Sequence, residues 1–181
     1  MKTYLPRTWV DPALYSALSN IHGVGVFTKR DIKKDEIVMI WGGVVIDRNE
    51  YDDTWEKYRN QSIVQIDEEH YLGLPIEDIK ESLDEHLNHS CDPNTWLVDE
   101  VTVVALRDIA GGEEITMDCA LWNDDDSEEY SDDDVCTCGA ANCRKKLTAH
   151  DWKIPLIQEK YKGHFSPYLQ KRIDAMTHRP E

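Results

Sequence analysis

Leu87-Asn88-His89-Ser90-Cys91-Asp92-Pro93-Asn94 sets amide, imidazole, hydroxyl and thiol side chains against a forced turn. Pro93 fixes φ and has no N–H, while Asp92 and Asn94 bond back to nearby backbone, so Cys91 is held at a bend. A thiol at a bend suits a metal ion when partners exist elsewhere. Downstream, Cys136-Thr137-Cys138-Gly139-Ala140-Ala141-Asn142-Cys143 puts three cysteines in a span too short for a core of its own. Cys91, Cys136, Cys138 and Cys143 together are four thiolates, the closed tetrahedral set of a structural zinc site. A third stretch, Gly112-Glu113-Glu114-Ile115-Thr116-Met117-Asp118, lies just after an apolar strand.

These three stretches resemble the SET-domain protein lysine methyltransferases. That family's signatures read Asn-His-Ser-Cys-x-Pro-Asn, then Gly-Glu-Glu-Leu-x-x-Asp-Tyr, then a post-SET Cys-x-Cys-x(4)-Cys. The resemblance implies a β-rich α+β fold of short β-sheets with a pseudoknot, a small zinc-bound post-SET loop and C-terminal helices. It divides the chain into an N-terminal flank (1–20), a SET domain (21–122), an acidic loop (123–134), a post-SET segment (135–150) and a helical extension (151–181). The implied activity is transfer of a methyl group from S-adenosyl-L-methionine to a lysine of a basic protein or peptide, histones among the candidates. The implied cofactor residues are His22, Gly23, Val24 and Gly25, then Asn88 and His89 as binding rather than proton-transfer groups. Leu147 would cover the adenine, with Trp152 a second candidate for that lid.

One position departs from the pattern. Cys119 stands where the motif tyrosine belongs, and a thiol is shorter, a weaker hydrogen-bonding partner and unable to wall a channel as a ring does. Three outcomes follow: Tyr71, Tyr130 or Tyr168 substitutes, activity is low, or the fold only binds. Trp41 occupies the place of a family tyrosine near the lysine channel and reads equally as a core residue. Met117 sits where the family often carries an aromatic residue that limits the number of methyl groups added. The candidate catalytic positions are therefore Cys119, Trp41 and Met117. A thiolate at Cys119 beside an electrophilic methyl is also a candidate for self-methylation.

A chain of 181 residues is long enough for one domain with a core, and its formal net charge of -16 repels a phosphate backbone. Direct nucleic-acid binding is disfavoured on that ground, and cationic partners are favoured. No apolar run resembles a signal peptide or a membrane span, which predicts an intracellular protein. Five cysteines, three of them grouped, then point to metal rather than disulfides. Four thiolates leave no open position for water, so a zinc hydrolase is excluded. The acidic run from Asp124 to Asp134 reads as a solvated loop, with guidance of basic peptides as a minority reading. It lacks the ligand spacing of a calcium loop.

Along the chain, 10–21 reads as a short helix or an irregular lead-in, and 22–27 as a glycine-flanked strand. Residues 37–46 read as two strands about a kink, and 47–59 as a helix presenting Tyr51, Trp55 and Tyr58. Hairpins are predicted around 67–70 and 99–100, and a helix over 75–87. Pro155 to Tyr161 suggests another helix, and Ser166-Pro167 caps a last one; this tail reads as packing, with Phe165 or Tyr168 a candidate to reach the lysine channel.

Overall fold

Runs of two to five β-branched and aromatic residues, cut by glycine, proline and acidic turns, favour short strands over helices. The computed structural model describes residues 2–51, 63–73, 82–124 and 135–177. Its strands are β1 (Trp9–Val10), β2 (Leu14–Leu18), β3 (Val24–Thr28), β4 (Ile37–Ile40), β5 (Val44–Asp47), β6 (Val64–Gln65), β7 (His70–Gly73), β8 (Asn88–His89), β9 (Thr95–Leu97), β10 (Thr102–Ala105) and β11 (Glu114–Met117). They form three sheets in the orders β1-β4-β10-β9, β2-β3-β11-β8 and β5-β7-β6. The fold is thus β-rich with few helices, as the resemblance implied.

The first departure is at the N-terminus. Residues 10–21 are not helical but supply strands, β2 pairing antiparallel with β3 from Leu14↔Thr28 to Leu18↔Val24. Leu14 is buried while Leu18 is exposed, so this edge strand is held by its partner rather than by a steady apolar stripe. The kink predicted within 37–46 is present between β4 and β5. Gly43 there has φ +150, and a Cβ on it would stand 2.1 Å from the Gly73 carbonyl oxygen, so only glycine fits. Both predicted hairpins form, β6 with β7 and β9 with β10. Residues 48–51 begin a helix, but most of the helix expected over 47–59 lies outside the described residues, as do Tyr130 and most of the acidic run. Of the helix expected over 75–87, only the 3-10 turn Leu83–His86 is described.

Strand β11 decides where the site falls. It pairs antiparallel with β3 and parallel with the two-residue β8, in the register Thr116↔Asn88 and Met117↔His89. The chain after β8 stays hydrogen-bonded to β11. Asn94 Nδ2 donates to the Glu114 carbonyl at 2.7 Å, Thr116 N–H donates to Asn94 Oδ1 at 2.8 Å, and Thr95 Oγ1 donates to the Thr116 carbonyl at 2.8 Å. These bonds tie residues 94–95 to 114–116, bringing together the two stretches that the resemblance implied would meet. Ile115 and Val26, both fully buried, fasten the two strands to the core, each side chain contributing about 1.5–3 kcal/mol by leaving water.

Behind the zinc motif, α1 (Pro155–Lys160) and α2 (Pro167–Thr177) form as predicted. Ser166 Oγ accepts the Leu169 N–H at 3.3 Å, the expected cap. Tyr161, Phe165, Leu169 and Ile173 face the same core as Trp41, Met117 and Leu121. The extension is therefore built into the domain.

Candidate functional site

Glu114, at the start of β11, organises the turn that precedes β3. Its carboxylate accepts the Ser19 hydroxyl at 2.8 and 2.9 Å and the Asn88 amide at 2.8 Å. Ser19 Oγ in turn accepts the Ile21 N–H at 2.8 Å. The Asn88 amide also lies 3.1 Å from the His22 carbonyl and 3.2 Å from that of Val24. Four of the sequence-predicted cofactor residues, His22, Gly23, Val24 and Asn88, thus meet at one place, and Gly25 follows in β3. A Cβ on Gly25 would stand 2.2 Å from Glu114 Oε1, which explains the glycine as room for that carboxylate. Around Gly23 a Cβ would meet nothing within 4 Å, so the turn opens outward, with room for a ligand against its backbone.

The four predicted thiols come together, with all four sulfur atoms within 4.8 Å of one another. Tetrahedral coordination at the usual zinc–sulfur distance needs sulfurs about 3.8 Å apart. Cys91 Sγ and Cys136 Sγ are 3.9 Å apart, so the set fits one ion. Backbone N–H groups point at the sulfurs: Arg144 to Cys91 at 3.3 Å, Cys91 to Cys138 at 3.4 Å and Lys145 to Cys143 at 3.4 Å. Burial pushes the Cys91 and Cys136 thiols up, whereas at Cys138 burial is outweighed by donors from Cys91 and Ala140, which bring it to about 7. N–H donors aimed at sulfur stabilise thiolates, the form a metal requires. The loop closes on itself by the Val135↔Lys146 bridge, and Thr137 Oγ1 donates to the Ile21 carbonyl at 2.9 Å. The metal loop therefore touches the turn that Glu114 shapes.

His89 joins the two places. Its Nδ1 accepts the Cys119 N–H at 3.2 Å, which leaves the proton on Nε2, 3.3 Å from Cys91 Sγ. Burial pulls the imidazole down to about 4, Asp118 opposing and Arg144 assisting, so the ring is neutral. Both ring nitrogens are taken by protein atoms, so any cofactor contact at His89 falls to its backbone.

At the other end of β11, Asp118 is fully buried and accepts four hydrogen bonds. Arg144 grips it with two, Nη1 to Oδ2 at 2.6 Å and Nη2 to Oδ1 at 2.7 Å. Tyr161 OH donates to Oδ2 at 3.0 Å, and the Ala120 N–H to Oδ1 at 3.0 Å. Arg144 Nε also donates to Asp151 at 2.7 Å. Burial would raise the Asp118 carboxyl, but the Arg144 bonds and charge outweigh it and hold the group below the usual carboxylate range. Cys119 follows, half-buried, at the head of the 3-10 turn Cys119–Leu121 that Asp118 caps.

The remaining predicted residues are less tightly gathered. Trp41 is buried, its ring edge-on to Trp122 at 6.0 Å, three residues past Cys119. Met117 is buried beside His89 in the β8–β11 register, and Leu147 is half-buried just after the loop-closing bridge. Of the tyrosines considered as substitutes at 119, Tyr71 is buried and stacks on Tyr51 at 4.2 Å. Tyr168 OH is engaged by Asp124 at 3.2 Å and Arg172 at 2.8 Å. Sequence reasoning missed Glu114, Arg144, Asp118 and Tyr161 as organisers. The first three sit inside or beside the quoted motifs, a usable signal, whereas nothing local marks Tyr161.

A family model described as the SET domain matches residues 23–120, the span holding the turn, β8 and β11. The chain is 33% identical over 140 residues to a variant-silencing SET domain-containing protein of Plasmodium falciparum, covering 67% of this chain and 5% of that protein. It is 33% identical over 144 residues to histone-lysine N-methyltransferase trr of Drosophila melanogaster, covering 73% of this chain and 6% of that one. With histone-lysine N-methyltransferase ASHH3 of Arabidopsis thaliana the identity is 28% over 138 residues, covering 69% of this chain and 35% of the relative. The chain thus spans only a small part of the length of most of these relatives. Among the described residues no helix is long and apolar enough to cross a membrane. The match over more than half of the chain, on the residues that build the turn and its two flanking strands, makes this protein a member of the SET-domain family.

Proposed function

We propose that the chain is an S-adenosyl-L-methionine-dependent protein-lysine N-methyltransferase acting on a basic protein or peptide. The observation that carries the reading is Asn88, whose one amide holds the His22 and Val24 carbonyls and Glu114 together at the open Gly23 turn. Relatives named histone-lysine methyltransferases support a histone-like substrate, and the net charge of -16 suits a lysine-rich one.

The bound cofactor would supply an electrophilic methyl group on a positively charged sulfur. The protein's own task is to place a lysine amine in line with that methyl and to favour the uncharged amine, whose free pKa is about 10.4. Burial around Met117 and Trp41 supplies a dry wall, which disfavours the ammonium form. His22, Gly23, Val24, Gly25, Asn88 and the His89 backbone would hold the cofactor, and Leu147 would cover it. Zinc on Cys91, Cys136, Cys138 and Cys143 would fix the loop against Ile21. Cys119 gives the reaction centre a thiol where the motif hydroxyl is expected, and the Tyr168 hydroxyl is already engaged by Asp124 and Arg172.

That feature favours one second reading, a catalytically weak SET-fold module that holds basic partners. Calorimetric titration with S-adenosylmethionine tests the main proposal. The native chain should bind it, and Asn88→Ala should bind about tenfold more weakly. Absence of heat from the native zinc-loaded protein would reject the cofactor site.

A further inference from the structure

Tyr161 lies in α1's C-terminal cap, beyond the 23–120 span that matches the family, and is fully buried. Its ring packs edge-on to Phe165 at 6.2 Å, and the Lys160 ammonium lies 4.9 Å from its centroid. Apolar packing would be served equally by phenylalanine. The hydroxyl instead donates to Asp118, whose other oxygen takes the Ala120 N–H and so caps the turn that begins at Cys119. The same turn is tied to the extension a second time, Ser166 N–H donating to the Leu121 carbonyl at 2.8 Å. His89 Nδ1 accepts the Cys119 N–H. The residue at the motif-tyrosine position is thus gripped by groups from three segments, and the C-terminal extension contributes the hydroxyl.

We propose that Tyr161 is a positioning residue: through Asp118 it fixes the 119–121 turn and thereby the side chain presented at the reaction centre. The proposal rests on the methyltransferase reading for its functional meaning, but its structural content stands independently of that reading. Removing the hydroxyl leaves Asp118 still paired with Arg144, so the domain keeps its fold while the cap loosens. The turn should then open more often and expose the half-buried Cys119 thiol.

The test is the alkylation rate of Cys119 in the zinc-loaded full chain, followed by peptide-resolved mass spectrometry with iodoacetamide as probe. Tyr161→Phe should react about tenfold faster at Cys119 than the native protein, the scale of one lost hydrogen bond to a charged acceptor. Its zinc content should be unchanged. Tyr168→Phe, which removes another hydroxyl of the extension, the one that donates to Asp124, should react at the native rate. Equal rates for native and Tyr161→Phe, or an equal rise in Tyr168→Phe, would overturn the proposal. In the labelled transfer reaction, Tyr161→Phe should lower kcat and leave the KM for S-adenosylmethionine unchanged. A native chain that binds no S-adenosylmethionine would remove the methyltransferase reading, and the thiol rates would still judge Tyr161.

Discussion

The two ends of the four-residue strand β11 are built in opposite ways. At its start, Glu113 and Glu114 are part-exposed: Glu114 works through Ser19 and Asn88, and Glu113 through Asn94 and a solvent-exposed ion pair with Arg107 at 2.5 Å. At its end, Asp118 is sealed from water against Arg144 and Tyr161. Ordered water can repair the first kind of contact, whereas a buried charge that loses its partner has no substitute. The start of the strand therefore suits a site that opens to a ligand. Its end suits a turn whose geometry must not vary.

The largest effect in that comparison should come from the metal. Chelation, or Cys136→Ser, would remove the ion that Cys91, Cys136, Cys138 and Cys143 are placed to share. The chain should then release one zinc per molecule and lose cooperative thermal unfolding, read by calorimetry and metal analysis. Survival of the full unfolding transition after metal loss would show that the loop is held without an ion.

Next is Asp118→Ala, which leaves the largely buried Arg144 side chain with Asp151 as its one carboxylate partner among the described residues. The expected loss is about 3–5 kcal/mol, because a stranded buried charge costs more than the pair contributes. Denaturant unfolding measures it, and a loss no greater than that of Glu114→Ala would erase the contrast between the two ends. Gly25→Ala should act at the start of the strand. Its methyl displaces the Glu114 carboxylate from Asn88, so S-adenosylmethionine affinity should fall by about tenfold or more while the unfolding midpoint moves little.

The smallest effect is a pH dependence. Asp118 has its folded pKa below the unfolded one, so its contribution is fully present above the unfolded value of about 3.9 and is lost as pH falls through the folded value. Native protein should lose stability on that acid limb more steeply than Asp118→Asn. Identical slopes would show that Arg144 does not hold the carboxylate down.

Part of the start of the strand was legible in the sequence: Glu114 went unnoticed as its organiser, but the residues it gathers stand in motifs. Asn88 and the 22–25 turn are separated in the chain, yet each stands in a recognisable pattern, and the four cysteines announce themselves by residue type and spacing. Hairpins at 67–70 and 99–100 followed from acidic turns between apolar runs. The lead-in at 10–21 failed because β2 has one buried end and one exposed one, a pattern set by its pairing with β3 rather than by its own periodicity. The end of the strand was illegible for a related reason. Arg144 and Tyr161 meet Asp118 across 26 and 43 positions, and no local rule links an arginine after a cysteine to a tyrosine ending a helix.

The most direct measurement is transfer of labelled methyl from S-adenosylmethionine to mixed histones, comparing the native chain with Cys119→Tyr and recovering the label as N-methyl-lysine. Methyl-lysine is expected from the native chain and more from the variant, because the ring and hydroxyl restore what the thiol lacks. Methyl-lysine from neither protein, with zinc and cofactor both bound, would contradict it and leave a SET fold that binds without transferring.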